Sequence, residues 1–274
     1  MNRRTVFFVS DQTGVTAETM GHSLLTQFDG VEFRPVTLPF VSTLDKAEEA
    51  ARRINLCAQT EDVRPIVFST LVQDELRDVV KRADGLFLDF FDAFLAPLEA
   101  ELAVRSSHTS GRAHSMADLT AYTTRINATS FALANDDGAG ARDYAHADVV
   151  LIGVSRSGKT PTCLYLALQY GVFAANFPLT EDELEFGSLP AALRPHQRKL
   201  FGLTIKPERL QQIRHERRPD SRYSSAQQVQ YELRAAEALF ERSGVPFLDT
   251  TECSIEEISS RILDRTGIER RVRP

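Results

Sequence analysis

The sequence predicts an α/β protein, with an N-terminal domain built on a parallel sheet and a second α/β domain like those of P-loop kinases. Short runs of β-branched and aromatic residues alternate with helical patterns, which is typical of strand–helix–strand units. A polar segment at 105–115 interrupts this alternation. Beyond it, an apolar strand pattern leads directly into a glycine-rich loop and a further helix.

Four strand–helix units account for the N-terminal domain. Their strands are predicted at residues 5–10, 33–38, 66–69 and 86–90. Their helices are predicted at residues 17–28, 43–58, 72–82 and 92–104. The segment 105–115 lacks apolar periodicity and is rich in small polar residues, so we place the domain boundary there. The predicted domains are residues 1–108 and 109–274.

The second domain opens with a helix predicted at 116–134, which the turn sequence Asn-Asp-Asp-Gly at 135–138 ends. A strand predicted at 148–152 follows and leads into the glycine-rich loop. Further strands are predicted at 172–176, 200–205 and 245–248. Further helices are predicted at 207–217, 224–243 and 254–266.

The glycine-rich loop reads Gly-Val-Ser-Arg-Ser-Gly-Lys-Thr at 153–160, which is a complete Walker A pattern. In this pattern, backbone N–H groups surround a phosphate at the positive end of the following helix. Lys159 is expected to neutralise the outermost phosphate, and Thr160 is expected to coordinate a divalent metal ion. The predicted nucleotide-binding residues are Gly153, Val154, Ser155, Arg156, Ser157, Gly158, Lys159 and Thr160.

Three residues are predicted to be catalytic. Lys159 is the first, through its charge. Arg156 brings a second cation into the loop and is expected to contact a substrate or a transition state, with a solvent-facing side chain as the alternative. Asp182, next to Glu181, follows a predicted strand end. Phosphotransferases often place there the carboxylate that binds metal or accepts the proton of the incoming hydroxyl.

Two polar loops outside this motif are weaker candidates. Residues 10–18 follow the first strand and open the first helix, so their hydroxyls and amides could receive an anion. The alternative is a helix cap from Thr16, with Glu18 favoured by the helix dipole. His108 and His114 lie in the polar segment and could act as acid–base groups, although surface histidines in loops are usually inert.

Three further features have an ordinary structural interpretation beside a functional one. Asp136 and Asp137 could hold a metal ion, activate a nucleophile or simply form a turn. The charged stretch 214–222 is typical of a solvated helix end, with a docking or anion-contacting surface as the alternative. We expect Cys163 to be a small buried helix residue rather than a reactive thiol.

The composition restricts the class of partner. The formal net charge is −6 and the isoelectric point is near 5.6, which argues against a nucleic-acid-binding role. Apolar runs are too short to cross a bilayer, and the first residues turn polar too early for a signal peptide. We therefore expect a cytoplasmic protein with neither nucleic acid nor membrane among its partners.

Four segments, 10–18, 153–162, 174–178 and 201–210, together resemble the bacterial phosphoenolpyruvate synthase regulatory proteins. This family belongs with the regulators of pyruvate, phosphate dikinase, and the likeness extends over almost the whole chain. The stretch 213–223 is more similar to the branch that acts on pyruvate, water dikinase, which is phosphoenolpyruvate synthase.

The resemblance implies two opposed activities on one partner. An ADP-dependent protein kinase would phosphorylate a threonine on phosphoenolpyruvate synthase, and a phosphate-dependent phosphorylase would remove the group as pyrophosphate. ADP would bind at residues 153–160, inorganic phosphate would be the second ligand, and magnesium is a candidate for the metal at Thr160. The family also implies a homodimer.

Two other functions stay open on the residues alone. The loop by itself would suit a small-molecule kinase or NTPase. A non-catalytic sensor would bind ADP without turnover and switch a partner by binding.

Overall fold

A computed structural model describes residues 2–109, 119–139 and 141–272. The chain divides into two compact units, Met1–Ser115 and Met116–Pro274. This division falls at the end of the polar segment 105–115. Each unit contains a four-stranded parallel sheet with helices packed on it, so the predicted α/β class is confirmed.

The first unit has the strand order β2-β1-β3-β4. Its strands are β1 (Asn2–Val9), β2 (Val31–Leu38), β3 (Ile66–Ser69) and β4 (Leu86–Asp89). Its helices are α1 (Val15–Leu25), α2 (Leu44–Glu61), α3 (Asp74–Lys81) and α4 (Phe90–Leu102). Alternate residues of β1 face opposite sides, because Phe7 packs with Ile54 of α2 while Phe8 packs with Ala17 of α1. Both faces of the sheet are therefore covered by helices.

The second unit has the strand order β6-β5-β7-β8. Its strands are β5 (Val149–Gly153), β6 (Ala174–Pro178), β7 (Leu200–Thr204) and β8 (Phe247–Asp249). Its helices are α5 (Leu119–Ala134), α6 (Lys159–Tyr170), α7 (Glu181–Glu185), α8 (Pro207–Arg217), α9 (Ala226–Ser243) and α10 (Ile255–Thr266). Ile152 packs with Leu210 and Leu233 on one face, and Leu151 packs with Leu166 and Ile262 on the other.

The predicted strands are all present; β3 has the predicted bounds, and the ends of the other strands shift by at most three residues. The largest shift in the second unit concerns β6, which begins at Ala174 and not at residue 172. The reason is local, because the amide of Val172 donates to the carbonyl of Leu166 and so closes the end of α6. The short helix α7 was not predicted, although Thr180 and Glu183 form a capping box at its start.

Within the described part of the chain, no helix combines the length and the apolar character that crossing a bilayer requires.

Candidate functional site

The 153–160 loop joins a central strand to the start of a helix. Every residue of β5 is buried, and the strand order reverses beside it, with β6 on one side and β7 on the other. Since α6 begins at Lys159, the unpaired N–H groups of its first turn face the carboxyl edge of the sheet. Ligands of parallel α/β sheets bind at such a reversal, and a helix N-terminus favours anions.

The glycines of the loop meet two different requirements. A β-carbon on Gly153 would lie 2.4 Å from the carbonyl oxygen of Leu203 and 2.9 Å from Oγ of Ser157. Because backbone cannot move aside as a flexible side chain can, the end of β5 has room only for glycine. Gly158 has a φ of 91° and is the N-cap of α6, a conformation that is unfavourable for other residues.

We expect Gly153→Ala to lower the free energy of unfolding by about 1–3 kcal/mol, because the added methyl group overpacks the contact with Leu203. Urea denaturation measures this loss. Gly244→Ala is the matched control: the φ angles of Gly153 and Gly244 are both positive, at 158° and 62°, but no atom lies within 4 Å of the carbon added at Gly244. Equal losses in the two variants would show that backbone conformation, and not the close contact, requires Gly153.

Lys159 is a buried cation, with only 5% of its surface exposed. Its Nζ donates to the carbonyl oxygen of Val154 at 2.8 Å, so the side chain folds back over its own loop. Burial lowers the pKa of Lys159 to about 8, while the carboxylates of Asp137 and Asp136 act in the opposite direction. A bound anion would stabilise this ammonium, and the ammonium would stabilise the anion.

Phosphate affinity should therefore depend on pH. A bound phosphate favours the charged form of Lys159 and so raises the pKa of this side chain above about 8. At higher pH the free protein has lost this proton, so binding must take up a proton from solution. For ADP, the ligand that the resemblance implies, we expect the Kd to rise above about pH 8, by at most about tenfold per pH unit for one linked proton. Calorimetric titrations across this range measure the change, and Lys159→Met should remove it. A Kd that stays constant would contradict the linkage.

Thr160 belongs to a hydrogen-bond network with three residues from elsewhere in the second unit. Oδ1 of Asp136 accepts from the Thr160 hydroxyl at 2.8 Å and from Nδ2 of Asn176 at 2.5 Å. Oδ1 of Asn176 accepts in turn from the amide of Asp137 at 3.0 Å. Asn176 lies fully buried in β6, beside β5. The network fixes a carboxylate next to the loop residue that was predicted to bind metal.

A buried ion pair supports the loop from the other side. Arg214 of α8 is fully buried, and its Nη2 lies 2.7 Å from Oε2 of Glu232 and 3.1 Å from the carbonyl oxygen of Ser155. The guanidinium carbon is 4.3 Å from the ring centroid of Tyr223, whose hydroxyl lies 2.9 Å from Oγ of Ser155. Backbone and side chain of Ser155 are thus both held.

One hydroxyl inside the loop is buried without a partner. Oγ of Ser157 makes no hydrogen bond to the described residues, although the carbonyl of Ser157 accepts from the Thr250 hydroxyl at 3.3 Å. Native proteins pair most buried polar groups, so an orphaned hydroxyl calls for a partner. A bound phosphate oxygen would supply an acceptor at this position.

The structure places the remaining predicted site residues in exposed positions. Arg156 is exposed and has a left-handed φ of 74°, so its contact with a substrate stays a prediction. Asp182 is exposed on α7, while its neighbour Glu181 pairs with Arg222. The catalytic role of Asp182 also stays a prediction. Across the described ranges, no group of three or more His, Cys, Asp and Glu side chains is arranged to hold a metal ion.

The weaker candidates have mixed outcomes. The predicted cap from Thr16 is wrong, because α1 begins at Val15 with Gly14 as its N-cap and no side-chain cap bond. Nδ1 of His108 lies 3.3 Å from the carbonyl oxygen of Val72. His114 lies outside the described residues.

The expectation for Cys163 is confirmed. The thiol is buried in α6, its Sγ lies 3.4 Å from the carbonyl oxygen of Ala175, and burial raises the pKa of the thiol. A thiol that stays protonated at neutral pH is a poor nucleophile.

The interpretation of 214–222 as a solvated helix end is wrong for its first residue. Residues 215–220 are exposed, but Arg214 is buried against the loop. Sequence reasoning also missed Asn176, Tyr223 and Glu232 as parts of the site. Asn176 and Arg214 did have a signal in the sequence, since each is a polar residue at a position where an apolar side chain would normally face the core.

These features define a two-unit α/β protein with a loop of the phosphate-binding type at the carboxyl edge of its second sheet. The model of the kinase/pyrophosphorylase family matches residues 6–263. Relatives from Marinobacter nauticus, Alcanivorax borkumensis and Hahella chejuensis are 53%, 55% and 50% identical to this chain, respectively. Each alignment covers 98–99% of this chain and 99–100% of the relative. Each is named "putative phosphoenolpyruvate synthase regulatory protein".

The chain therefore belongs to the kinase/pyrophosphorylase family, and its activity is of the phosphotransferase type. The resemblance drawn from the four sequence segments is confirmed.

Proposed function

We propose that this chain regulates phosphoenolpyruvate synthase by transferring a phosphoryl group from ADP to a threonine of that enzyme, and by removing the group with inorganic phosphate. The observation that supports the proposal most is the loop itself: a buried lysine, a threonine bonded to a carboxylate, and a helix N-terminus converge at one sheet edge. The names of the relatives support phosphoenolpyruvate synthase as the partner.

The residues present fit the phosphates of ADP. Gly153 leaves no room for a side chain, and Ser157 carries a buried hydroxyl that has no partner among the described residues. Lys159 carries a cation whose burial is unfavourable until an anion joins it. Magnesium fits beside Thr160 and Asp136, since this ion usually takes one or two protein ligands and completes its shell with phosphate oxygens and water. When bound, it would neutralise charge that develops on the phosphates.

In the kinase direction, the bond between the terminal phosphorus of ADP and its bridging oxygen breaks, and a bond to the threonine oxygen forms. AMP leaves, and the hydroxyl proton passes to a carboxylate. We propose Asp182 as the acceptor, with Asp137, whose charge acts on Lys159, as the alternative. Lys159 and the amides of the first turn of α6 stabilise the transferring group.

In the reverse direction, an oxygen of inorganic phosphate attacks the phosphorus of phosphothreonine. The threonine oxygen leaves and takes up a proton, and the product is pyrophosphate. A cradle that positions the terminal phosphoryl group of ADP would also position the attacking phosphate. We therefore propose one site for both reactions.

Incubation of the purified protein with phosphoenolpyruvate synthase and either ADP or ATP tests the proposal. We expect label from the terminal phosphate of ADP to appear on a threonine of the synthase, and pyrophosphate to be released when phosphate is added later. Transfer from ATP to a small metabolite, with no labelling of the synthase, would instead identify a small-molecule kinase. ADP binding without any transfer would identify a non-catalytic sensor.

Asp136→Asn tests the carboxylate of the network. We expect kcat of the kinase to fall by about 10–100-fold, because the amide cannot replace the charge beside Thr160. The fall should be smaller at higher magnesium concentration if the lost function is metal binding. Asp143→Asn, at an exposed position in the same unit, is the control and should keep wild-type kinetics. Wild-type kcat in Asp136→Asn would remove Asp136 from the proposed site.

A further inference from the structure

The carboxyl edge of the first sheet has the features of a second ligand site. The strand order β2-β1-β3-β4 reverses beside β1, so the ends of β1 and β3 flank the position where open parallel sheets bind ligands. Ser10 follows β1 and Thr70 follows β3, and the amide of Thr70 donates to the carbonyl of Val9 at 3.0 Å. Both side chains are buried, with 4% exposed.

Ser10 and Thr70 lie on the face of the sheet that α1 covers. Phe8 and Phe68 stack with ring centroids 5.8 Å apart and pack in one cluster with α1. Because side chains alternate along a strand, Ser10 and Thr70, two residues further on, lie on the same face. A β-carbon on Gly14, the N-cap of α1, would lie only 3.9 Å from the β-carbon of Ser10.

Several groups at this edge are ready to donate hydrogen bonds. Oγ1 of Thr70 is buried and has no partner among the described residues, a condition that costs about 1–3 kcal/mol unless a ligand or water satisfies it. Gly14, with a φ of 86°, is the N-cap of α1 and has no side chain to accept from the amides of the first turn of that helix. Oγ of Ser10 accepts from the amide of Gln12 at 3.2 Å and keeps its own proton to donate.

We propose that this edge binds a phosphate group through the hydroxyls of Ser10 and Thr70 and the first-turn amides of α1. The ligand is inorganic phosphate or a phosphate monoester, which present the same terminal oxygens. Two carboxylates lie near this edge: Glu18, which accepts from Thr37, and Asp11, which is buried and has interactions of its own. Their negative charge makes the affinity lower than in the 153–160 loop, where Lys159 provides a cation.

The test uses the full chain carrying Lys159→Met, which removes the buried cation of the other phosphate site. Inorganic phosphate is titrated into isotope-labelled protein, and the amide resonances of Val15 and Thr16 are followed by NMR. We expect saturable shifts that Thr70→Val abolishes. This substitution keeps the shape of the side chain and removes an unpartnered hydroxyl, so Tm should stay the same or rise.

Thr5→Val is the matched control for the same sheet. Thr5 is also buried, but it lies in the middle of β1, five residues before Ser10, and donates to Glu61 at 2.6 Å. The phosphate shifts should persist in this variant. If the chain carrying only Lys159→Met shows no shifts, or if the shifts persist in Thr70→Val, the proposal is overturned. Water would then be the partner of the Thr70 hydroxyl.

A phosphothreonine peptide identifies the source of the phosphate group. If the peptide shifts the same amides at lower concentration than inorganic phosphate, the edge binds a phosphorylated side chain; if only inorganic phosphate shifts them, it binds the free ion. Neither measurement uses ADP or phosphoenolpyruvate synthase. The result therefore stands or falls separately from the proposed function.

Discussion

Lys159→Met should lower the proposed kinase activity by orders of magnitude and leave the fold intact. Loss of a group that stabilises charge on the transferring phosphoryl typically costs about 10²–10³-fold in kcat, and the Kd for ADP should rise as well. The stability should not fall, because the charged form of Lys159 is disfavoured by burial, as its lowered pKa shows. Methionine keeps an unbranched chain of similar volume in the same place.

Both directions must be measured on the same variant. Transfer of label from ADP to phosphoenolpyruvate synthase reports the kinase, and pyrophosphate release reports the phosphorylase. A shared site predicts that both activities fall together, and thermal unfolding checks the fold. Lys206→Met is the control, since Lys206 is exposed and pairs with Glu252 in the same unit. A phosphorylase at wild-type rate in Lys159→Met would require two separate sites.

The elements around the loop could be predicted because their signals are local. The run Val-Val-Leu-Ile before the loop is apolar without alternation, as expected of a strand buried on both faces, and β5 is fully buried. Gly158 and Lys159 mark the transition from loop to helix, and α6 begins there. Such patterns span a few residues, so the sequence alone carries them.

The contacts that support the loop could not be predicted, because they join residues that are distant along the chain. Arg214 and Ser155 are 59 positions apart, and Asn176 and Asp136 are 40 apart. Charge density suggested that Arg214 faces solvent. The stronger signal was its spacing, because Arg214 lies four residues after the buried Leu210 and therefore on the apolar face of α8.

Asp182 shows why position along the chain is not enough to predict which carboxylate lies beside the loop. It follows β6, and residues after a strand do lie at the carboxyl edge of a parallel sheet. The side chain that contacts Thr160 is nevertheless that of Asp136, which precedes β5 and sits in a short turn after α5. Sequence order alone cannot rank two carboxylates that approach one edge from different directions.

Arg214→Met should lower the free energy of unfolding by about 3–5 kcal/mol, because it leaves Glu232 buried without its cation. Glu232 is only 9% exposed and keeps a single described side-chain donor, Gln228, at 3.0 Å. The double variant Arg214→Met with Glu232→Met should recover most of this loss, since a buried ion pair can often be replaced by apolar side chains without cost.

The double variant separates stability from function. It restores no donor to the carbonyl of Ser155, so the Kd for ADP should stay raised even though the protein is again stable. Urea denaturation and ADP titration measure the two quantities on the same samples. Arg209→Met is the control, because Arg209 is an exposed residue of the same helix that bonds Gln212. If the stable double variant bound ADP as tightly as the wild type, the ion pair would support the fold alone, and the loop would not need Arg214 to hold its shape.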